Sequence, residues 1–145
     1  MCDSHLLGAL LGRCAHLSRE RLDARLTQYD VTPAQIRVLL YIHHHGGQVP
    51  QCEVIKHLKV KPSTANGILY RMEEKGFVTR SVSDSDARYR LIRLTEKGER
   101  QQTEFRRLLM EVESLMTQGW TPEERELFVR LLDKIVENLE EDRTV

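Results

Sequence analysis

Pro62 and Gly76 bracket one short stretch of this chain, Lys61 to Gly76, whose apolar residues Ala65, Ile68, Leu69 and Met72 fall at i, i+3, i+4 and i+7. That spacing is the stripe of a helix lying on a core. Pro62 suits the first turn, where no amide donor is needed, and Gly76 suits the left-handed residue after the last. Ser63, Asn66, Gly67 and Tyr70 are left facing outward, with Lys61 and Arg71 at the margins. A merely solvated helix usually carries Glu and Lys pairs there. This one carries hydrogen-bonding groups that suit the edges of DNA bases.

The flanking sequence predicts how such a helix is placed. Residues 4 to about 28 repeat apolar groups at Leu7, Leu10, Leu11, Cys14, Leu17, Leu22 and Leu26, which predicts a long first helix. Thr32-Pro33 supplies a cap and a first-turn proline for a second, more buried helix through Ile36, Val38, Leu39, Leu40 and Ile42, closed by Gly46-Gly47. Gln48-Val49-Pro50 is long enough only for an edge strand, and residues 51 to 58 show Val54, Ile55 and Leu58 at helical spacing. Two short helices in close succession, the second with a polar outer face, form a helix-turn-helix. Beyond Gly76 the period changes to alternation, Phe77 to Val82 and Tyr89 to Leu94, around the turn-rich Ser83 to Arg88: a hairpin. Thr95 and Thr121-Pro122 cap two further helices, with stripes at Phe105, Leu108, Leu109, Val112, Leu115 and Met116, then at Leu127, Phe128, Leu131, Leu132, Ile135, Val136 and Leu139. The expectation is a mainly α chain with a small β-hairpin wing, a winged helix-turn-helix of α+β class.

The formal net charge is zero, but its distribution is uneven. Residues 1–50 hold five Lys/Arg and four Asp/Glu, residues 51–100 eleven and seven, and residues 101–145 six and eleven. A basic middle beside an acidic final third suits a DNA reader with an electrically separate second function. No apolar run reaches the roughly 20 residues that cross a bilayer, and the N-terminus lacks signal-peptide features, so a cytoplasmic protein without a membrane partner is expected. Cys2, Cys14 and Cys52 are odd in number and lack CxxC spacing, which argues for reduced thiols. No nucleophile elbow, phosphate loop, HExxH or carboxylate pair appears, so no enzyme and no cofactor is expected.

Val31 to Leu39, Lys61-Pro62-Ser63-Thr64, Leu69 to Arg80, Asp84-Ser85-Asp86-Ala87-Arg88 and Leu94-Thr95-Glu96-Lys97-Gly98, in this order across about residues 31–98, together resemble the MarR family of bacterial transcription regulators. The resemblance implies a homodimer whose interface is built from the terminal helices. It implies binding to a palindromic double-stranded operator, commonly with release by a small ligand or an oxidant. One domain, residues 1–145, would then comprise a DNA-binding unit at about 31–98 and a helical dimerisation region at about 4–28 and 99–140. The broad stripes of the first and last two helices independently favour two chains, because one chain cannot cover them all.

By resemblance and geometry, Lys61, Ser63, Thr64, Asn66, Tyr70 and Arg71 are the candidate DNA contacts on the helix. Asn66 is the foremost base reader, since a carboxamide can pair bidentately with adenine. On the wing the candidates are Asp86, Arg88 and Arg90. The family pattern there is Asp-Arg-Arg, with the acid orienting the second arginine into the minor groove; here Asp86-Ala87-Arg88 lacks the middle arginine, for which Arg90 could substitute. Gly67 also departs from the family, whose members often carry a longer side chain there. Either the helix approaches DNA closely at Gly67 or affinity comes from elsewhere.

Other signals point to sensing. His43-His44-His45 with Cys52, Glu53 and His57 invites a metal, but consecutive residues diverge, and cations suit a helix C-terminus, so a solvated helix end is the simpler reading. Cys14 on the first stripe suits core or interface rather than a redox sensor, which needs an exposed low-pKa thiolate. A metal- or redox-responsive regulator of the same fold, or a winged-helix protein-interaction module, are the alternatives to a ligand-released repressor. The ligand-binding residues are not fixed by pattern; His16, Arg37 and Trp120 are candidates to line a pocket.

Overall fold

The computed structural model of the chain describes residues 5–82, 85 and 89–144. Its elements run α1 (Leu7–Leu26), α2 (Pro33–His44), β1 (Gln48–Pro50), α3 (Gln51–Leu58), α4 (Pro62–Glu74), β2 (Val78–Val82), β3 (Arg90–Leu94), α5 (Glu96–Met116) and α6 (Pro122–Glu141). The fold is the mainly helical one expected, with a small antiparallel sheet in the order β1-β3-β2. The chain divides into two compact units, Met1–Met110 and Glu111–Val145.

Caps and breakers set the helix boundaries in the first unit. Thr32 Oγ1 accepts from the Gln35 amide at 3.2 Å, and Gln35 Oε1 accepts from the Thr32 amide at 3.3 Å, a reciprocal capping box at the start of α2. The threonine and Pro33 were legible as a start signal, whereas the glutamine half of the box was not. Pro62 occupies the first turn of α4, and Gly76 after it takes φ +76°, a left-handed conformation that favours glycine.

One core unites these elements. Val38, Leu39 and Ile42 of α2, Val54 and Leu58 of α3, and Ala65, Leu69 and Met72 of α4 are buried together with Ile92 of β3 and Phe105 of α5. Three of the four stripe residues of α4 are therefore core, while Ile68 is half-buried. β3 is the central strand: Ile92 lies opposite Val49 of β1 and Arg80 of β2. Pro50 sits on an edge strand, where a missing amide donor is tolerated.

The start of α5 is fixed to the base of the hairpin. The Phe77 carbonyl accepts from the Thr95 amide at 3.0 Å; the Thr95 hydroxyl is shared between the Gly76 carbonyl at 2.5 Å and the Phe77 carbonyl at 3.1 Å, and accepts from the Gly98 amide at 3.0 Å. Gly98 is buried in this joint. A Cβ there would stand 2.1 Å from the Phe77 carbonyl oxygen, so only glycine lets α5 lie this close.

Elsewhere the apolar stripes are not buried within one chain. Leu26 is the buried residue of α1, and Leu7, Leu10, Cys14 and Leu17 are exposed. Within the second unit α6 begins with the Thr121 hydroxyl accepting from the Glu124 amide at 3.1 Å and buries none of its residues. Trp120 packs edge-on against Phe128, with ring centroids 5.3 Å apart.

Gly98→Ala is expected to lower folding stability by roughly 1–3 kcal/mol, because the methyl group must displace backbone rather than a mobile side chain. Denaturant unfolding compared with the parent chain measures it.

Candidate nucleic-acid interface

On α4 the outward face forms as the spacing required. Ser63, Thr64, Asn66, Tyr70 and Arg71 are all exposed, as is Lys61 immediately before the helix. No side chain caps the start of α4. Its first-turn amides and the positive end of its dipole therefore face outward beside Lys61, an arrangement that suits a phosphate oxygen. Tyr70 is 54% exposed, far more than a tyrosine held for packing needs.

Two details of this face were not legible. Asn66 Oδ1 accepts a hydrogen bond from Gln51 Nε2 of α3 at 3.1 Å, so the foremost base reader is already oriented by a neighbouring helix. The partner lies fifteen positions away, beyond any local pattern. The second concerns Gly67. A Cβ there would meet only the Arg71 guanidinium, at 3.6 Å, an ordinary contact, so nothing within the chain requires glycine at this position. Arg71 thus reaches back along the outer face to Gly67.

Of the wing candidates, Arg90 opens β3 and is exposed, while Asp86 and Arg88 lie outside the described residues. Arg80 and Arg93, also on the hairpin, are committed within the chain. Arg80 faces Glu73 at 3.4 Å, and Arg93 bonds Gln48 Oε1 through Nε at 2.8 Å. Among the described candidate residues of α4 and the wing, Lys61, Arg71 and Arg90 carry exposed positive charge.

The histidine run has a structural employment rather than a metal site. His43 Nδ1 meets Glu99 Oε2 at 2.9 Å, and His45 Nδ1 donates to the Tyr41 carbonyl at 2.8 Å. The Tyr41 ring lies between His45 and His57, with centroids 4.1 and 4.3 Å away. Partial desolvation in this stack, then the charges of Arg37, His45 and Lys59, hold the His57 imidazole below its usual pKa. Among the described residues no group of three His, Cys, Asp or Glu side chains is placed to hold a metal ion.

These rings line a cleft of about 550 Å³ between α2, α3 and α5, with Arg37 and Arg106 adding charge and Leu40 and Leu109 apolar walls. Arg37 was a candidate pocket residue. His16 instead pairs with Glu20 at 3.5 Å, and Trp120 lines a separate shallow groove on α6 with Leu127 and Phe128. Among the described residues no helix is long and apolar enough to cross a membrane.

Comparison with known proteins places this geometry. The family model described as MarR family matches residues 29–88. A cysteine variant of MarR from E. coli, solved with operator DNA, is 25% identical, with 93% of this chain and 98% of that one covered and a TM-score of 0.76. S. aureus MepR in its DNA-binding conformation is 26% identical over 91% of this chain and 97% of its own, with a TM-score of 0.78. Bordetella bronchiseptica BpsR, described as regulated in DNA binding by 6-hydroxynicotinic acid, shares the fold at 24% identity, with 94% and 96% covered and a TM-score of 0.78.

Gly67→Ala is expected to stabilise the free protein by up to about 1 kcal/mol, since alanine is the better helix former and its methyl group fits. Thermal unfolding without DNA tests this; a lowered Tm would mean that the helix is strained there.

Proposed function

We propose that this chain, whose residues 29–88 match the MarR family model and whose fold is that of MarR and MepR, is a cytoplasmic repressor of that family. In this reading it holds a palindromic operator as a homodimer and is released by a small ligand. The observation that carries the reading is the outward face of α4, where Ser63, Thr64, Asn66, Tyr70 and Arg71 are exposed together on a helix whose opposite face is core. Such a helix fits the major groove, with its first-turn amides on phosphate and its carboxamide and phenol at base edges. Arg90 and, by the sequence pattern, Asp86 and Arg88 would extend the contact from the wing.

The dimer follows from what one chain leaves uncovered. Leu7, Leu10 and Leu17 of α1 and Leu127, Phe128, Leu131, Val136 and Leu139 of α6 are exposed. Covering them with a second copy gains roughly 25 cal/mol per Å² of apolar area. Residues of about 4–28 and 99–140 would thus form the dimerisation region, and about 31–98 the DNA-binding unit. For the effector, the cleft beside Tyr41 suits a flat anionic molecule: aromatic and imidazole faces for stacking, and the Arg37 and Arg106 guanidinium groups for the charge.

Selection of bound duplexes from random DNA by the purified chain is expected to return inverted repeats with half-sites about one helical turn apart. Recovery without sequence preference, or a monomer in sedimentation at micromolar concentration, would overturn this reading. On the selected operator, Arg88→Ala is expected to weaken binding more than about tenfold, because a guanidinium in a narrow minor groove gains from the enhanced negative potential. An unchanged titration at physiological salt would remove Arg88 from the interface.

A further inference from the structure

The bond between Gln51 and Asn66 decides which edge of the Asn66 carboxamide is free. Gln51 is the first residue of α3 and Asn66 lies in the second turn of α4, so this contact bridges the two helices of the motif on the side of the outward face. Gln51 Nε2 donates, and Asn66 Oδ1 accepts, at 3.1 Å. The Asn66 amide nitrogen, with its two donors, is thereby turned away from Gln51. A free asparagine rotates its amide to suit either a donor or an acceptor on the base; a held one does not.

The other end of Gln51 gives a second, independent indication. Its Oε1 is buried with no hydrogen-bond partner among the described residues, which is an unfavourable way to keep a glutamine at the mouth of a helix. An apolar residue there would avoid that cost. The bond to Asn66 is what the glutamine supplies in exchange.

We infer that Gln51 is a positioning residue for sequence readout: it engages Asn66 Oδ1 so that Asn66 offers its Nδ2 donors to the major groove in one orientation, toward a base acceptor such as N7 of adenine or guanine, O6 of guanine or O4 of thymine. This rests on the reading that the outward face of α4 meets DNA. Asn66 Oδ1 keeps a second lone pair, so the bond from Gln51 leaves the bidentate pairing with adenine open while fixing which way the amide is turned.

The test uses the full-length protein and the operator selected above, with each half-site base pair exchanged in turn and affinities measured at one salt concentration. Asn66→Ala should flatten the preference at one base pair per half-site. Gln51→Ala should lower the discrimination at that same base pair by about fivefold or more and leave the other positions as they were. The double variant should be no worse there than Asn66→Ala alone. Gln51→Glu keeps the shape of the side chain but can only accept, so it should turn the Asn66 amide over and change which base is preferred at that position. Each readout is a ratio between duplexes, so a uniform loss through added charge or weaker folding does not imitate it.

If Asn66→Ala alters a base preference that both Gln51 variants leave untouched, the positioning role is overturned while DNA reading by α4 stands. If Asn66→Ala alters no preference in a protein that still binds specifically, Asn66 is not a reader and both assignments fall.

Discussion

The carbonyl of Phe77 is the point at which the recognition helix, the wing and the helix that leads away from them are held together. It ends the turn begun by Gly76, opens β2, and accepts from both the amide and the hydroxyl of Thr95. Gly98 then brings the first turn of α5 against it more closely than any residue with a Cβ allows. The Lys97 ammonium reaches back to the Lys75 carbonyl at 2.7 Å and lies 5.2 Å from the centre of the Phe77 ring. The end of α4, the base of the hairpin and the start of α5 are thus fixed within a few residues, by hydrogen bonds and close packing rather than by apolar area alone.

A second polar joint fixes the other side of α4. Lys75 Nζ donates to the Asp30 carbonyl at 2.6 Å and to Gln35 Oε1 at 3.1 Å, the oxygen that also closes the capping box of α2. The end of the recognition helix is therefore locked to the start of the helix beneath it. Apolar packing through Leu69 and Met72 tolerates small slides, whereas a shared, buried acceptor fixes register.

Much of this architecture was legible because caps and breakers are local. Pro62, Gly76, Thr32, Thr95 and Thr121 act on backbone groups a few residues away, and the element boundaries followed from them. The hairpin, the edge strand Gln48–Pro50 and the outward face of α4 followed from periodicity. What stayed hidden were side-chain meetings across long separations: Gln51 with Asn66, Lys75 with Gln35, and Tyr29 Oη with Glu104 at 2.7 Å, where the hydrogen bond from Arg107 and then that from Tyr29 lower the carboxyl pKa to about 2. Periodicity states which face of a helix is covered, not what covers it. The histidine run shows the same limit, since its spacing left open whether the rings converge; in the fold they diverge, one to Glu99 and another into the Tyr41 stack.

That divergence gives α5 two attachments with different consequences. Its first turn is locked to Phe77 through Thr95 and Gly98, and its Glu99 is tied to His43 at the end of α2. Arg106 and Leu109, two to three turns further along the same helix, line the cleft beside Tyr41. At 1.5 Å per residue these positions lie on the order of 15 Å from the joint. A helix transmits a tilt over that distance with little loss, because its backbone bonds are all internal. An occupant of the cleft that contacts Arg37 and Arg106 would bear on α2 and α5 together. Such coupling needs the occupant to make better contacts in one arrangement of α5 than in the other.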